Sequence, residues 1–97
     1  MTDRELLEAA AKAAGKPAPM MQDDSKGLSW GNGWWNPLTD DGDALRLAVR
    51  LQMAVSVCTD YTVMLGCETR ENHRTDPLAA TRRAITRAAA EIGRTMK

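Results

Sequence analysis

The run Trp34-Trp35-Asn36-Pro37-Leu38-Thr39-Asp40-Asp41-Gly42-Asp43-Ala44-Leu45 constrains the fold more than any other stretch, because it joins an aromatic pair, a proline corner and a helix start. Pro37 holds Asn36 extended, so the chain is expected to reach the corner as a strand and turn sharply. Thr39 is placed to cap the helix that follows, its hydroxyl accepting from a backbone N–H that the first turn leaves unpaired. Asp40, Asp41 and Asp43 then stand where the helix dipole favours negative charge. Helix initiation is enough to account for this acidic cluster. A calcium loop would need oxygen ligands at alternating positions and a glutamate at the twelfth, which the run lacks.

Caps and periods divide the rest of the chain. Thr2 with Glu5 forms a capping box, and Leu6, Leu7, Ala10, Ala13 and Ala14 make a helical stripe that stops at Gly15 and Pro17, which predicts a helix over 3–14. A second helix over 40–52 carries Ala44, Leu47, Ala48 and Leu51 inward, with Leu45 and Val49 widening the face. Asp76 caps and Pro77 opens a third, over 77–93, whose expected buried stripe is Leu78, Thr81, Ile85, Ala88 and Ile92; Gly93 should loosen its last turn.

Residues 53–67 switch to period two and β-branched side chains. A two-residue turn within Thr59-Asp60-Tyr61-Thr62 sets Cys58 against Val63 and Cys67 against Ala54, in a hairpin with apolar atoms on both faces. Both faces would be buried if the sheet lay between helix layers. Asn32-Gly33 is a type I′ turn signal that pairs Gly31 with Trp34 and Trp30 with Trp35. The polar run from Glu68 to Thr75 reads as a loop, with His73 on the surface. The sum is an α+β chain: three helices and a small antiparallel sheet of three to four strands, in an alpha-beta-alpha sandwich of one domain spanning 1–97.

Three blocks, MTDRELLEAAAKAAG, WNPLTDDGDALRLAV and DPLAATRRAITRAAAEIG, resemble short phage- and prophage-encoded proteins of unknown function grouped as the phage ABA sandwich domain. The resemblance covers most of the chain except residues 16–33. It implies a small α/β sandwich and a bacteriophage origin, and it carries over no catalytic residue.

Several kinds of function are disfavoured by what the chain contains. The longest apolar stretch is broken by Ser56, Thr59 and Asp60, so no membrane span of about 20 residues is expected. The charged start Thr2-Asp3-Arg4-Glu5 is unlike a secretory signal, and a bacterial cytoplasmic location is the expectation. Cys58, Cys67 and His73 fall short of a zinc ligand set, and the expected thiols are free. No paired carboxylate–histidine set, nucleophile elbow or phosphate loop is present, so a non-enzymatic protein without cofactor or metal is expected.

Two classes of partner remain. Acidic and basic residues balance at thirteen each, which argues against a nucleic-acid module. The charges are unevenly spread, however: from Pro77 onward Arg82, Arg83, Arg87, Arg94 and Lys97 face only Glu91. Tryptophan either fills volume beside alanine-rich helices or anchors an interface. Trp30 and Trp35 are expected in the core and Trp34 at the surface, where the Met20-Met21 pair adds adaptable contact area. The expected function is accessory: binding a host or phage protein and altering its activity, through a surface around Trp34 and Asn36 with help from Arg82, Arg83 and Arg87. The alternative is nucleic-acid binding by that arginine face.

Overall fold

Helix α1 (Asp3–Ala13) begins at the expected capping box: the Glu5 N–H donates to the Thr2 hydroxyl at 3.1 Å, and the Thr2 N–H donates to the Glu5 carboxylate at 3.0 Å. The structure, a computed structural model, describes residues 2–96. Helix α2 (Asp41–Arg50) is capped by Asp40, whose carboxylate accepts from the Asp43 N–H at 2.8 Å. The expectation that Thr39 caps it is corrected by one residue. The Asn36 carbonyl accepts from the N–H groups of both Thr39 and Asp40, at 3.1 and 2.9 Å, and this extra turn delays the helix. Helix α3 (Pro77–Thr95) starts as expected, with Pro77 in its first turn and the Asp76 carboxylate accepting from the Ala79 N–H at 3.0 Å.

The strands are antiparallel but divided between two sheets. In chain order, β1 (Met21–Asp23), β2 (Gly27–Ser29) and β3 (Trp34–Trp35) form one; β4 (Ala54–Val57), β5 (Tyr61–Leu65) and β6 (Thr69–Asn72) form the other. The class is α+β, with three helices and two three-stranded antiparallel sheets. Strand β6 replaces part of the loop expected over 68–75; Thr-Arg-Glu-Asn has no apolar alternation to announce it, and it pairs because β5 offers a partner.

Both hairpins differ from expectation by an even shift. Ala54 lies opposite Leu65 and Val57 opposite Thr62, with the Cys58 N–H donating to the Tyr61 carbonyl at 2.8 Å, so Thr59 and Asp60 occupy the turn. Leu28 lies opposite Trp35 and Ser29 opposite Trp34, leaving residues 30–33 as the loop. There is no type I′ turn at Asn32-Gly33: positive φ falls on Gly31 and Gly33, not on Asn32. A two-residue shift keeps every side chain on its face, because the pleat has period two. That is why the indoles of Trp30 and Trp35 still meet, edge to face, with centroids 5.9 Å apart.

Helix α3 is the hub, packing against α1, α2, β5 and β6. Its buried positions are mostly alanine (Ala80, Ala84, Ala88, Ala89, Ala90) with Ile85, Thr86 and Gly93. Leu78, expected in this stripe, is exposed. Gly93, expected to loosen the last turn, instead marks the crossing with α1: a Cβ there would run into the Ala9 carbonyl. On α1 it is Ala11, not Ala13, that is buried, and on α2 Leu45 and Val49 face solvent.

The core joins Ala10, Leu47, Ala48, Met64, Ile85 and Ala88, and a second cluster places Leu7 and Ala11 against Leu28. Only the Thr62 and Met64 side of β5 is buried; Val57 and Leu65 are exposed, so the hairpin does not have two buried faces. His73, expected at the surface, is buried as well. Its Nδ1 donates to the Thr59 carbonyl at 3.2 Å and its Nε2 lies 2.8 Å from the Thr62 hydroxyl, which is 2.7 Å from that of Thr81. This polar chain ties β5 and α3 to the residue that follows β6. Among the described residues no helix is long and apolar enough to cross a membrane.

Candidate functional site

Cross-strand partners share a face of a sheet. The register Met21–Ser29–Trp34 therefore sets the Met21 thioether and the Trp34 indole on one face of the first sheet, with buried Ser29 between them. The opposite face, carrying Leu28 and Trp35, packs on α1. Trp34 is 39% exposed, Met21 51% and Met20 74%, and the Met20 sulfur lies over Gly31. Lys26 holds its ammonium 5.6 Å from the centre of the Trp34 ring. The result is an aromatic and thioether surface held on a short sheet whose other side is core.

The remaining tryptophans are scaffold. The Trp30 indole donates to the Pro17 carbonyl at 2.9 Å, and Lys16 lies over its ring at 4.7 Å. Trp35 packs against both core clusters.

Asn36 is not beside Trp34 on the open surface: it is 7% exposed and built into the corner. Its N–H donates to the Asp43 carboxylate at 2.9 Å, and its side-chain Oδ1 accepts from the Leu38 N–H at 3.1 Å. Proline after it and a helix cap beyond it demand this closure, since the corner leaves backbone groups that need partners.

The three arginines are split between two sides of α3 and all are engaged. Arg82 donates to the Leu38 carbonyl at 2.9 Å and pairs with Asp41 at 2.7 Å, tying α3 to the start of α2. Arg83 pairs with Asp3 at 3.1 Å and approaches Glu71 at 3.9 Å, while Arg87 pairs with Glu71. They do not form a free positive patch. The acids that neutralise them lie at the start of α1, at the start of α2 and on β6, so their pairing depends on the tertiary fold.

Cys58 is partly buried, its sulfur 3.7 Å from the Ser56 hydroxyl, and Cys67 is exposed; both are free thiols. Two carboxyls lie below their usual range. Glu5 is lowered first by the Thr2 backbone N–H and then by its hydroxyl. Asp23 is lowered first by the Ser25 hydroxyl and then by the N–H groups of Ser25 and Lys26, the mark of a tight turn between β1 and β2.

Comparison of the chain with protein-family models, with curated proteins and with solved structures gives no match. The functional reading therefore rests on the residues themselves. Met21 and Lys26, beside Trp34, were not candidate site residues in the sequence. The Met20-Met21 dipeptide was the available signal, but only the register puts Met21 in line with Trp34.

Proposed function

We propose that this chain is a non-enzymatic protein-interaction module that docks a partner protein on the outer face of its first sheet, with Trp34 as the anchor. A single observation carries the reading: the 39% exposed Trp34 stands in register with the exposed Met21, on a sheet whose other face is buried. Interface energy concentrates in such rigid aromatic side chains, and thioethers adapt to the surface around them. A phage or prophage accessory role, acting on a host or phage protein in the bacterial cytoplasm, is part of the same proposal and follows from the resemblance of the three sequence blocks.

The pairing of Arg82, Arg83 and Arg87 with Asp41, Asp3 and Glu71 speaks against the nucleic-acid alternative, because a phosphate would have to displace each acid. The test is capture from bacterial lysate with tagged wild-type and Trp34→Ala proteins side by side, read by mass spectrometry. The proposal expects a partner retained by the wild type and lost by Trp34→Ala. Identical captured sets, or a set made up of nucleic acid and its binding proteins, would reject it.

A further inference from the structure

A cavity of about 670 Å³ forms a groove between the start of α1, the β1–β2 hairpin and the corner that enters α2. Leu7, Leu28 and Leu38 give it an apolar floor, and Asp3, Asp23 and Asp24 are set against one base, Arg4. Arg4 is already engaged, donating to Gln22 at 2.5 Å and lying 3.9 Å from Glu8. Asp3 is paired with Arg83. Asp24 has no hydrogen-bond or ion-pair partner among the described residues, and Asp23 uses one carboxylate oxygen in its turn. The rim is thus acidic in effect.

A second observation points independently to a ligand. Asn36 lines the groove while 7% exposed, and its Oδ1 is fixed by the Leu38 N–H at 3.1 Å. The side-chain amide nitrogen is then the donor end, and it has no acceptor among the described residues. Among the described residues every side-chain polar atom closed off from solvent has a partner, so this nitrogen keeps a solvent-accessible side, and the groove is a cavity that Asn36 lines. Held in this corner without a protein acceptor, the amide nitrogen is left to water or to an acceptor that enters the groove. The position is rigid: Gly27 has φ +101°, and a Cβ there would strike the Trp35 carbonyl and lie 2.8 Å from the Asn36 Cβ.

We propose that this groove binds a linear peptide segment in which an apolar residue precedes a lysine or arginine: a backbone carbonyl accepts from the Asn36 amide, the apolar side chain covers Leu7, Leu28 and Leu38, and the cation reaches Asp23 and Asp24. The chemistry selects this occupant. A free anion would satisfy Asn36 but meet the acidic rim, and a bare cation would leave the amide unpaired and the floor wet. The inference deepens the protein-interaction reading and rests on it for the kind of ligand.

The test is a titration of the ¹⁵N-labelled full chain with acetyl-Leu-Arg-amide and, as a charge-reversed control, acetyl-Leu-Glu-amide. The expected result is saturable shifts at the Asn36 side-chain amide and at the backbone amides of Gln22 to Leu28. Acetyl-Leu-Glu-amide should bind at least about fivefold more weakly, and Asp24→Asn should weaken acetyl-Leu-Arg-amide by about twofold to fivefold, the range of an exposed charge pair. Asn36→Asp keeps the acceptor for Leu38 and removes the donor, and should abolish the shifts; Asp24→Asn carries the test if that variant does not fold. Shifts that are absent, lie elsewhere or are equal for the two peptides overturn the proposal. The titration should be unchanged in Trp34→Ala. Failure here with Trp34-dependent capture intact rejects the groove alone, whereas peptide binding without such capture rejects the outer-face docking reading.

Discussion

At the residue scale, small side chains decide where the large elements go. Gly93 lets α3 approach the Ala9 carbonyl, a contact that any Cβ would block. Gly93→Ala has better intrinsic helix propensity, yet it should lower unfolding free energy by about 1–3 kcal/mol through overpacking, measured by urea denaturation. A neutral or stabilising result would mean that α1 gives way freely. The His73–Thr62–Thr81 chain is equally specific. A carbonyl can only accept, so Nδ1 donates to Thr59; in the neutral ring Nε2 then accepts from Thr62, which in turn accepts from Thr81. Thr62→Val preserves shape and strands Nε2, at an expected cost of about 1–3 kcal/mol in the same assay. Neither feature was readable from the sequence. A glycine near a helix end looks like a terminator, and a histidine in a polar run looks exposed, until a second element is laid over each.

At the element scale, the helices were legible because their signals are local. Thr2 with Glu5, and Asp76 with Pro77, each carry the cap within four residues of the helix they start. The Thr39 cap failed by one residue because Asp40 competes for the same role, and the Asn36 carbonyl decides between them. Asp40→Ala should therefore destabilise by about 1 kcal/mol while Thr39→Ala costs much less; the reverse order would restore Thr39 as the cap. Strand registers were less legible, since they depend on which residues the turn takes up, and β6 has no sequence signature apart from its partner. The lowered carboxyls of Glu5 and Asp23 add a pH dependence of definite sign. A carboxyl depressed in the fold contributes stability that is present above its unfolded value and is lost as pH falls through the folded one. The double variant Glu5→Gln, Asp23→Asn should lose less Tm than the wild type on acidification below the ordinary carboxylate range. Parallel Tm–pH curves would contradict this.

At the scale of the whole molecule, the uneven charge seen along the sequence disappears in the fold, because the acids of the first half close onto the arginines of α3. Duplex DNA should consequently bind more weakly than about 0.1 mM at physiological salt, the weak edge of ordinary non-specific binding. A tighter, steeply salt-dependent complex that weakens on Arg83→Glu would return the nucleic-acid reading to first place. Of the candidate surface, Trp34 was legible as the exposed indole, but Asn36 was misplaced, since nothing in Asn-Pro states that the side chain turns inward to hold Leu38. Exposed apolar side chains also occur elsewhere, at Leu65 and at Leu45 and Val49, which neighbour each other one turn apart on α2, but these are aliphatic, whereas Trp34 sets an aromatic ring in register with Met21. The decisive measurement pairs two readouts on Trp34→Ala: urea denaturation of the domain, and calorimetric affinity for the protein that the wild type captures. A scaffold-supported docking residue predicts an unfolding free energy within about 0.5 kcal/mol of wild type and a binding loss above about 1 kcal/mol. Unfolding of the variant, or an affinity equal to wild type, would contradict the account.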